Sequence, residues 1–145
     1  YLVMVLACFT VIGQVSRDGA NVTISGLAGL HKRSPLLATT LAVGVFGLAG
    51  VPPFAGFMGK LALLKTALDQ GQLALVILAV VNTAIAIYYY LQVIREVYFR
   101  EPDADAPALR VDAATRVLCA LLIIGTLWLG LAPGRILEAI AASLR

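Results

Sequence analysis

Long apolar runs decide what this chain can fold into. Four of them, residues 1–15, 35–69, 73–95 and 116–132, follow one another, with most of the charge confined to the segments between. A bilayer core of ~30 Å takes about 20 apolar residues per helix, and backbone at that depth must satisfy its own hydrogen bonds. Composition agrees: 61% of residues are hydrophobic and 13% charged, with a mean hydropathy of +0.94. A soluble domain carries about 25% charged residues. The expected fold is all-α and transmembrane, a polytopic helix bundle. The net charge of +3 is too small to argue for a nucleic-acid partner. The bilayer itself is the expected surroundings.

The second run is the odd one. As one straight helix, residues 35–68 would reach ~51 Å at 1.5 Å per residue, far more than the bilayer core needs. Within it stands Gly50-Val-Pro-Pro-Phe-Ala-Gly-Phe-Met-Gly-Lys60. Pro52 and Pro53 remove two backbone donors, and residues before proline are pushed out of the helical region. The run is therefore expected to be discontinuous at residues 50–53, with half-helices over 35–49 and 54–68 and a hinge built from Gly50, Pro52, Pro53 and Gly56. Pro35 is well placed to open the first half. Irregular backbone at membrane depth survives where it faces protein or a water-filled cavity, and such breaks mark ion sites in transporters.

Between the runs lie a polar loop over 16–34, a charged and proline-punctuated loop over 96–115, and a tail over 134–145 after Pro133-Gly134. The tail places Ile136, Leu137, Ile140, Ala141 and Leu144 on one stripe, the pattern of an interfacial helix. Arg17, Lys32, Arg33, Arg95, Arg100, Arg110 and Arg116 fall on one side, against Arg135, Arg145 and an outward-reaching Lys65 on the other. The excess puts the first set in the cytoplasm, and the C-terminus on the outer side of the membrane. The chain opens at Tyr1, and its first run is short for a complete span. It reads as the C-terminal piece of a longer polytopic protein.

Lys60 is the residue that needs explaining. It lies ~14 Å by helical rise from Asp69, near the middle of the core, whereas Lys65 is close enough to the edge to snorkel. A cation at the bilayer centre costs ~3 kcal/mol even on insertion scales, so such residues are functional candidates by default. Burial disfavours a charged lysine, and the positive dipole end of the second half-helix points the same way. Its helical neighbours Gly56, Phe57, Leu63 and Leu64 include no carboxylate. An amine whose charged form is marginal suits a proton relay; the competing reading is a fixed ion pair tying two helices together. Asn82 and Thr83 can belong to a water chain reaching Lys60, or can be helix–helix glue. His31 can receive protons at the membrane edge, or be a solvated loop histidine. Tyr88, Tyr89 and Tyr90 read as an aromatic belt. Gly44, Gly47 and Gly50 recur as a packing face. Cys8 and Cys119 carry no metal-ligand spacing, and no nucleophile–base set, phosphate loop or dinucleotide fingerprint is present.

The run "SGLAGLHKRSPLLATTLAVGVFGLAGVPPFAGFMGKLALLKTAL", followed by "NTAIAIYYYLQVIREVYF", resembles the C-terminal part of subunit N among the antiporter-like membrane subunits of NADH–quinone oxidoreductase, respiratory complex I. The family's "GLAxRSP" is present in altered form at Gly29 to Pro35, its "LAGxPPxxGFxGK" at Leu48 to Lys60, and its "N-(S/T)…YYYLRV" at Asn82 to Val93. The likeness covers residues 1–99, and beyond them only the hydropathy matches. It implies a longer subunit of which these are the last four spans. In such subunits two broken helices lie within inverted repeats, and the second carries a central ionisable residue, which Lys60 matches; subunit M is expected to carry Glu there. The implied activity is proton translocation driven by electron transfer from NADH to quinone. NADH, FMN, iron–sulfur clusters and quinone are expected in the assembled complex and none in this chain. Its implied partners are other antiporter-like and small hydrophobic membrane subunits. One departure is Val5, where the family carries Asn ("YLxMNLGAF" against "YLVMVLACF").

Two other readings compete. One is a subunit of a multisubunit cation/proton antiporter or a membrane-bound hydrogenase, which share the broken helix. The other is a purely structural membrane subunit with Lys60 as a static ion pair.

Overall fold

The computed structural model describes residues 1–16, 22–102 and 109–131. Among these are six α-helices and no strand: α1 (Leu2–Val15), α2 (Leu30–Arg33), α3 (Pro35–Ala49), α4 (Ala55–Asp69), α5 (Leu73–Phe99) and α6 (Ala113–Leu131). Arg17 and Asp18, the middle of the 96–115 loop, Pro133-Gly134 and the tail with Arg135 and Arg145 lie outside the described residues.

α3 is the hub, with α1, α5 and α6 packed around it. Small side chains make this possible. A Cβ on Gly44 would stand 2.8 Å from Cys8 Sγ and 3.0 Å from the Met4 carbonyl oxygen, and one on Gly47 would strike Met4 Sδ. Leu37, Ala38, Leu41 and Val45 on the same helix are buried with Val11, Val97 and Cys119. Thr40 and Thr126, also buried, donate back to Leu36 O at 2.8 Å and Leu122 O at 2.7 Å, so neither leaves an unpaired hydroxyl in the core. Gly50, expected on the packing face with Gly44 and Gly47, does something else, described below.

Helix lengths differ from the hydropathy limits. α5 continues past Arg95 to Phe99, because Ile94 and Val97 are still buried against the core. α6 begins at Ala113, ahead of Arg116, where Asp112 accepts the Thr115 N–H at 3.4 Å. The 16–34 loop contains a 3-10 turn (Ser25–Leu27) and α2. By length and composition, α5 and α6 are the described helices able to cross a membrane singly; α1 and α3 are shorter. α4 has no fully buried residue, and α5 is buried only near its C-terminus, so much of the surface of this hairpin is left uncovered. Gly71, at φ +71°, makes the turn between them, with its N–H on Leu68 O at 2.9 Å.

Candidate functional site

The break between α3 and α4 is built from hydrogen-bond accounting. The last four carbonyls of an α-helix have no partner within it. At the end of α3, Gly50 adopts the left-handed conformation (φ 77°, ψ 41°). Its N–H bonds to Gly47 O at 3.2 Å and to Phe46 O at 3.1 Å, and the Val51 N–H bonds to Phe46 O at 3.1 Å. This is the Schellman pattern, and it takes care of Phe46 and Gly47. Leu48 and Ala49 remain. Lys60, from the second turn of α4, reaches back and donates Nζ–H to both, at 3.3 Å to Leu48 O and 2.8 Å to Ala49 O.

The dipole expectation is therefore reversed. Lys60 sits near the positive end of α4 in sequence, but its amine is delivered to the negative end of α3, where a cation is favoured. No carboxylate pairs with it among the described residues; the ion pairs there are Lys32–Glu101 and Glu96–Arg100.

The surroundings are tight on one side and open on the other. A Cβ on Gly56 would strike Gly47 O, and one on Gly130 would strike Pro53 O, so α3, α4 and α6 meet at the break with no side chain between them. The Pro52–Pro53 peptide is cis. Toward α5, Lys60 lines two cavities. One, of about 450 Å3, includes Gly50, Val51, Pro52 and Phe57; the other, of about 250 Å3, includes Leu64, Val76 and Ala79. Thr83 lines both. Lys60 is half-buried at the point where the two meet.

The remaining sequence-derived candidates separate. Thr83 comes to Lys60 across the cavities, its hydroxyl donating to Ala79 O at 2.8 Å. Asn82 does not: it is exposed on α5, on neither cavity wall. The hinge residues Gly50 and Pro52 line a cavity with Lys60, Pro53 lies under α6, and Gly56 lies under α3. His31 belongs elsewhere, ~21 Å along α5 from Thr83. It is not a freely solvated loop histidine. Its Nδ1 lies 2.8 Å from Val97 O, and its ring stacks on Tyr98 with centroids 5.7 Å apart. A carbonyl only accepts, so Nδ1 carries the proton. The Gly29 N–H takes Glu96 O at 3.1 Å, so the two residues together cap the end of α5.

Capping of α3 by Lys60 is the feature that sequence reasoning missed. Its signal was a glycine at the helix end with a lysine on the next helix, but nothing in the spacing says which way the amine turns. The described residues contain no group of three or more His, Cys, Asp or Glu side chains able to hold a metal, and Cys8 and Cys119 are both free thiols.

Comparison with known proteins bears on this geometry directly. Residues 1–86 match the family described as NADH:quinone oxidoreductase/Mrp antiporter, TM. NADH-quinone oxidoreductase subunit N 2 of Opitutus terrae is 59% identical over 99% of this chain and 30% of its own length. The protein of the same name from Syntrophobacter fumaroxidans is 42% identical over 94% of this chain and 29% of its own. Among solved structures, a chain of respiratory complex I from Thermus thermophilus with bound Aureothin superposes with a TM-score of 0.83 at 32% identity, over 95% of this chain and 31% of that one. The chain thus spans about 30% of the length of the relatives it matches. With the family matched across more than half of its residues, including the whole of the break and Lys60, the chain belongs to the NADH:quinone oxidoreductase/Mrp antiporter family of membrane proteins.

Proposed function

We propose that this chain is the C-terminal part of subunit N of an NADH–quinone oxidoreductase, and that Lys60 is a proton carrier within it. In this reading α3 and α4 are the two halves of one interrupted transmembrane helix in a polytopic bundle. The observation that carries it is the pair of bonds from Lys60 Nζ to Leu48 O and Ala49 O, made at a break lined by cavities.

The chemistry follows from what holds the charge. An ammonium has three N–H donors, of which two are used on carbonyls. Helix-end carbonyls present about half an elementary charge, not the full charge of a carboxylate. They hold the amine without a full counter-charge, and in this reading the proton is exchanged with a neighbouring site. The third donor is available to water in the cavities, with the Thr83 hydroxyl on the opposite wall. Loss of the proton weakens both charge-assisted bonds, so the charge on Lys60 is coupled to the contact between α3 and α4. NADH, FMN, iron–sulfur clusters and quinone belong to other subunits of the proposed assembly, and the exposed apolar sides of α4 and α5 face lipid or neighbouring membrane subunits. The end of the bundle holding Lys32, Arg33, Arg110 and Arg116 is the cytoplasmic one, and the C-terminus lies outside a bacterial inner membrane.

The test is Lys60→Met in the full-length subunit within the assembled complex, reconstituted into vesicles. Assembly persists, and protons moved per NADH oxidised fall. Unchanged pumping refutes the carrier role and leaves Lys60 as a helix cap. A second reading is favoured by the family itself, whose description includes Mrp antiporters: a cation/proton antiporter or hydrogenase subunit using the same lysine. Transport that requires sodium, in a complex without NADH oxidation, selects it.

A further inference from the structure

α6 crosses both halves of the break. Thr126 and Gly130 stand about one turn apart on this helix, and both are buried. Thr126 turns its hydroxyl onto Leu122 O and its Cγ2 methyl toward α3, where a Cβ on Gly47 would stand 3.5 Å from it. Gly130 lies on the start of α4. A Cβ there would strike Pro53 O and stand 2.8 Å from Ala55 N and 2.9 Å from Phe54 C. Phe54 is the N-cap residue of α4, and Ala55 is its first helical residue. One face of α6 is thus a splint laid across the end of α3 and the start of α4. Gly47 is common to the whole crossing, since its carbonyl oxygen also lies against Gly56.

We infer that Thr126 and Gly130 are positioning residues for the Lys60 amine: the close seat of α6 on both halves of the break sets the distance over which Lys60 reaches the end of α3. Lys60 lies ~7.5 Å beyond Ala55 by helical rise and shares a helix face with Gly56, so a shift of the first turn carries the root of Lys60 with it. Its stem has little slack. A Cβ on Gly50 would stand 2.8 Å from Cδ, 3.2 Å from Cε and 3.0 Å from Nζ, so the chain runs closely over the Gly50 backbone on its way to Leu48 O and Ala49 O. The longer of the two bonds, at 3.3 Å, is already at the limit of hydrogen-bonding range. An alanine at position 130 needs about 0.5 Å or more of extra separation to reach van der Waals distance from Ala55 N, and a backbone atom cannot rotate away. A shift of that size at the start of α4 is enough to break the longer bond. Where the amine is held does not depend on transport; the effect on pumping rests on the reading of Lys60 as a proton carrier.

The test uses the assembled complex with its full-length subunit and fluorodinitrobenzene, a small apolar reagent that arylates free amines. Lys65, exposed on the same helix, is the internal reference, and peptide mass spectrometry reads the ratio of label at Lys60 to label at Lys65. An amine seated on two carbonyls is shielded from the reagent; a dislodged one is open to the cavities that Lys60 lines. Gly130→Ala is expected to raise the ratio about 10-fold, the factor for one hydrogen bond to a charged group. Gly125→Ala on the same helix, where a Cβ would meet Val3 Cγ1 at 3.7 Å, leaves it within about 2-fold. Should Gly130→Ala not assemble, Thr126→Ala, which removes the methyl facing Gly47, raises the ratio about 3-fold, whereas Thr126→Val, which keeps a methyl there, does not. An unchanged ratio in Gly130→Ala, or in Thr126→Ala where that alone assembles, overturns the inference, as does an equal rise in Gly125→Ala. Protons moved per NADH oxidised fall in the variants whose ratio rises. A raised ratio with unchanged pumping upholds the placement and refutes proton carriage by Lys60, so the two readings fail separately.

Discussion

Lys60 acts on the backbone before it acts on anything else. That one helix ends and another begins just ahead of it was legible in the sequence, since Pro52 and Pro53 interrupt the apolar run there. The direction of its amine was not. A reading confined to α4 sees only the positive end of that helix, while the partner is the end of α3, reached across a turn whose path the sequence does not specify. Asn82 and Thr83 show the same limit. Adjacent residues on a helix point ~100° apart, and α5 is apolar nearly all round, so no hydrophobic stripe could say which of the two faces Lys60. Gly50 is where the arrangement is easiest to break. A left-handed conformation costs a non-glycine residue ~1–2 kcal/mol, and the added Cβ would stand 2.8 Å from Lys60 Cδ and 3.0 Å from Nζ. Gly50→Ala is expected to cost at least that much stability and to dislodge the amine, seen as a lower unfolding temperature of the complex together with reduced pumping. At the other end, Glu101 supplies a pH test. The Lys32 hydrogen bond, then its charge, hold the Glu101 carboxyl below the usual range. Its folded-state value is depressed, so its contribution is present at neutral pH and fades as the pH falls through that value. Protection of the Gly29 amide, which bonds to Glu96 O, is expected to decline below about pH 4, near the unperturbed value for glutamate. In Glu101→Gln it is expected to lose that dependence; a decline unchanged in the variant would assign it to another group.

At the scale of elements, the break is a crowded crossing and not a slack linker. Proline content told that a helix must stop here. It did not tell that α6 comes to rest on the stop, because that contact joins residues far apart in the chain and depends on Gly130 having no side chain. Two glycines of α4, three positions apart, separate crowding from propensity. At Gly56 a Cβ would strike the backbone oxygen of Gly47, which cannot rotate away; at Gly59 it would meet nothing within 4 Å. Gly56→Ala is expected to destabilise by ~1–3 kcal/mol through overpacking. Gly59→Ala is expected to be neutral or to stabilise by up to ~1 kcal/mol, as glycine is a poor residue in a helix interior. Thermal unfolding of the two variants side by side checks this. Equal effects would mean that α3 and α4 are further apart than described. α5 and α6 reach beyond the apolar runs for a related reason. Hydropathy ends a run at its first charge, whereas the helix continues as long as residues such as Val97 still have a core to bury against.

On the scale of the whole molecule, the described residues make a hub with an unfinished side. α1, α3 and α6 enclose a core, while α4 and most of α5 leave Leu75, Ile77, Leu78, Val81 and Ile85 exposed. In a chain that covers about 30% of its relatives' length, that face is where the rest of a larger protein, or lipid, belongs. Composition and run length announced the membrane; no property of the sequence could say which apolar faces meet protein. Topology, by contrast, is decidable from one end of the bundle. The loop charges that suggested an orientation do gather in space, with Lys32 bound to Glu101 and His31 bound to the end of α5. The proposed orientation, taken from the positive-inside rule, has that end in the cytoplasm. Glu101 is the position to probe, since its side chain is 80% exposed. The two native thiols leave little background, for Cys119 is fully buried and Cys8 half-buried within helices. Glu101→Cys in the full-length subunit is expected to react with a membrane-impermeant maleimide in inside-out vesicles and to stay unlabelled in right-side-out ones. The reverse pattern would invert the bundle, and the Lys60 cavities with it.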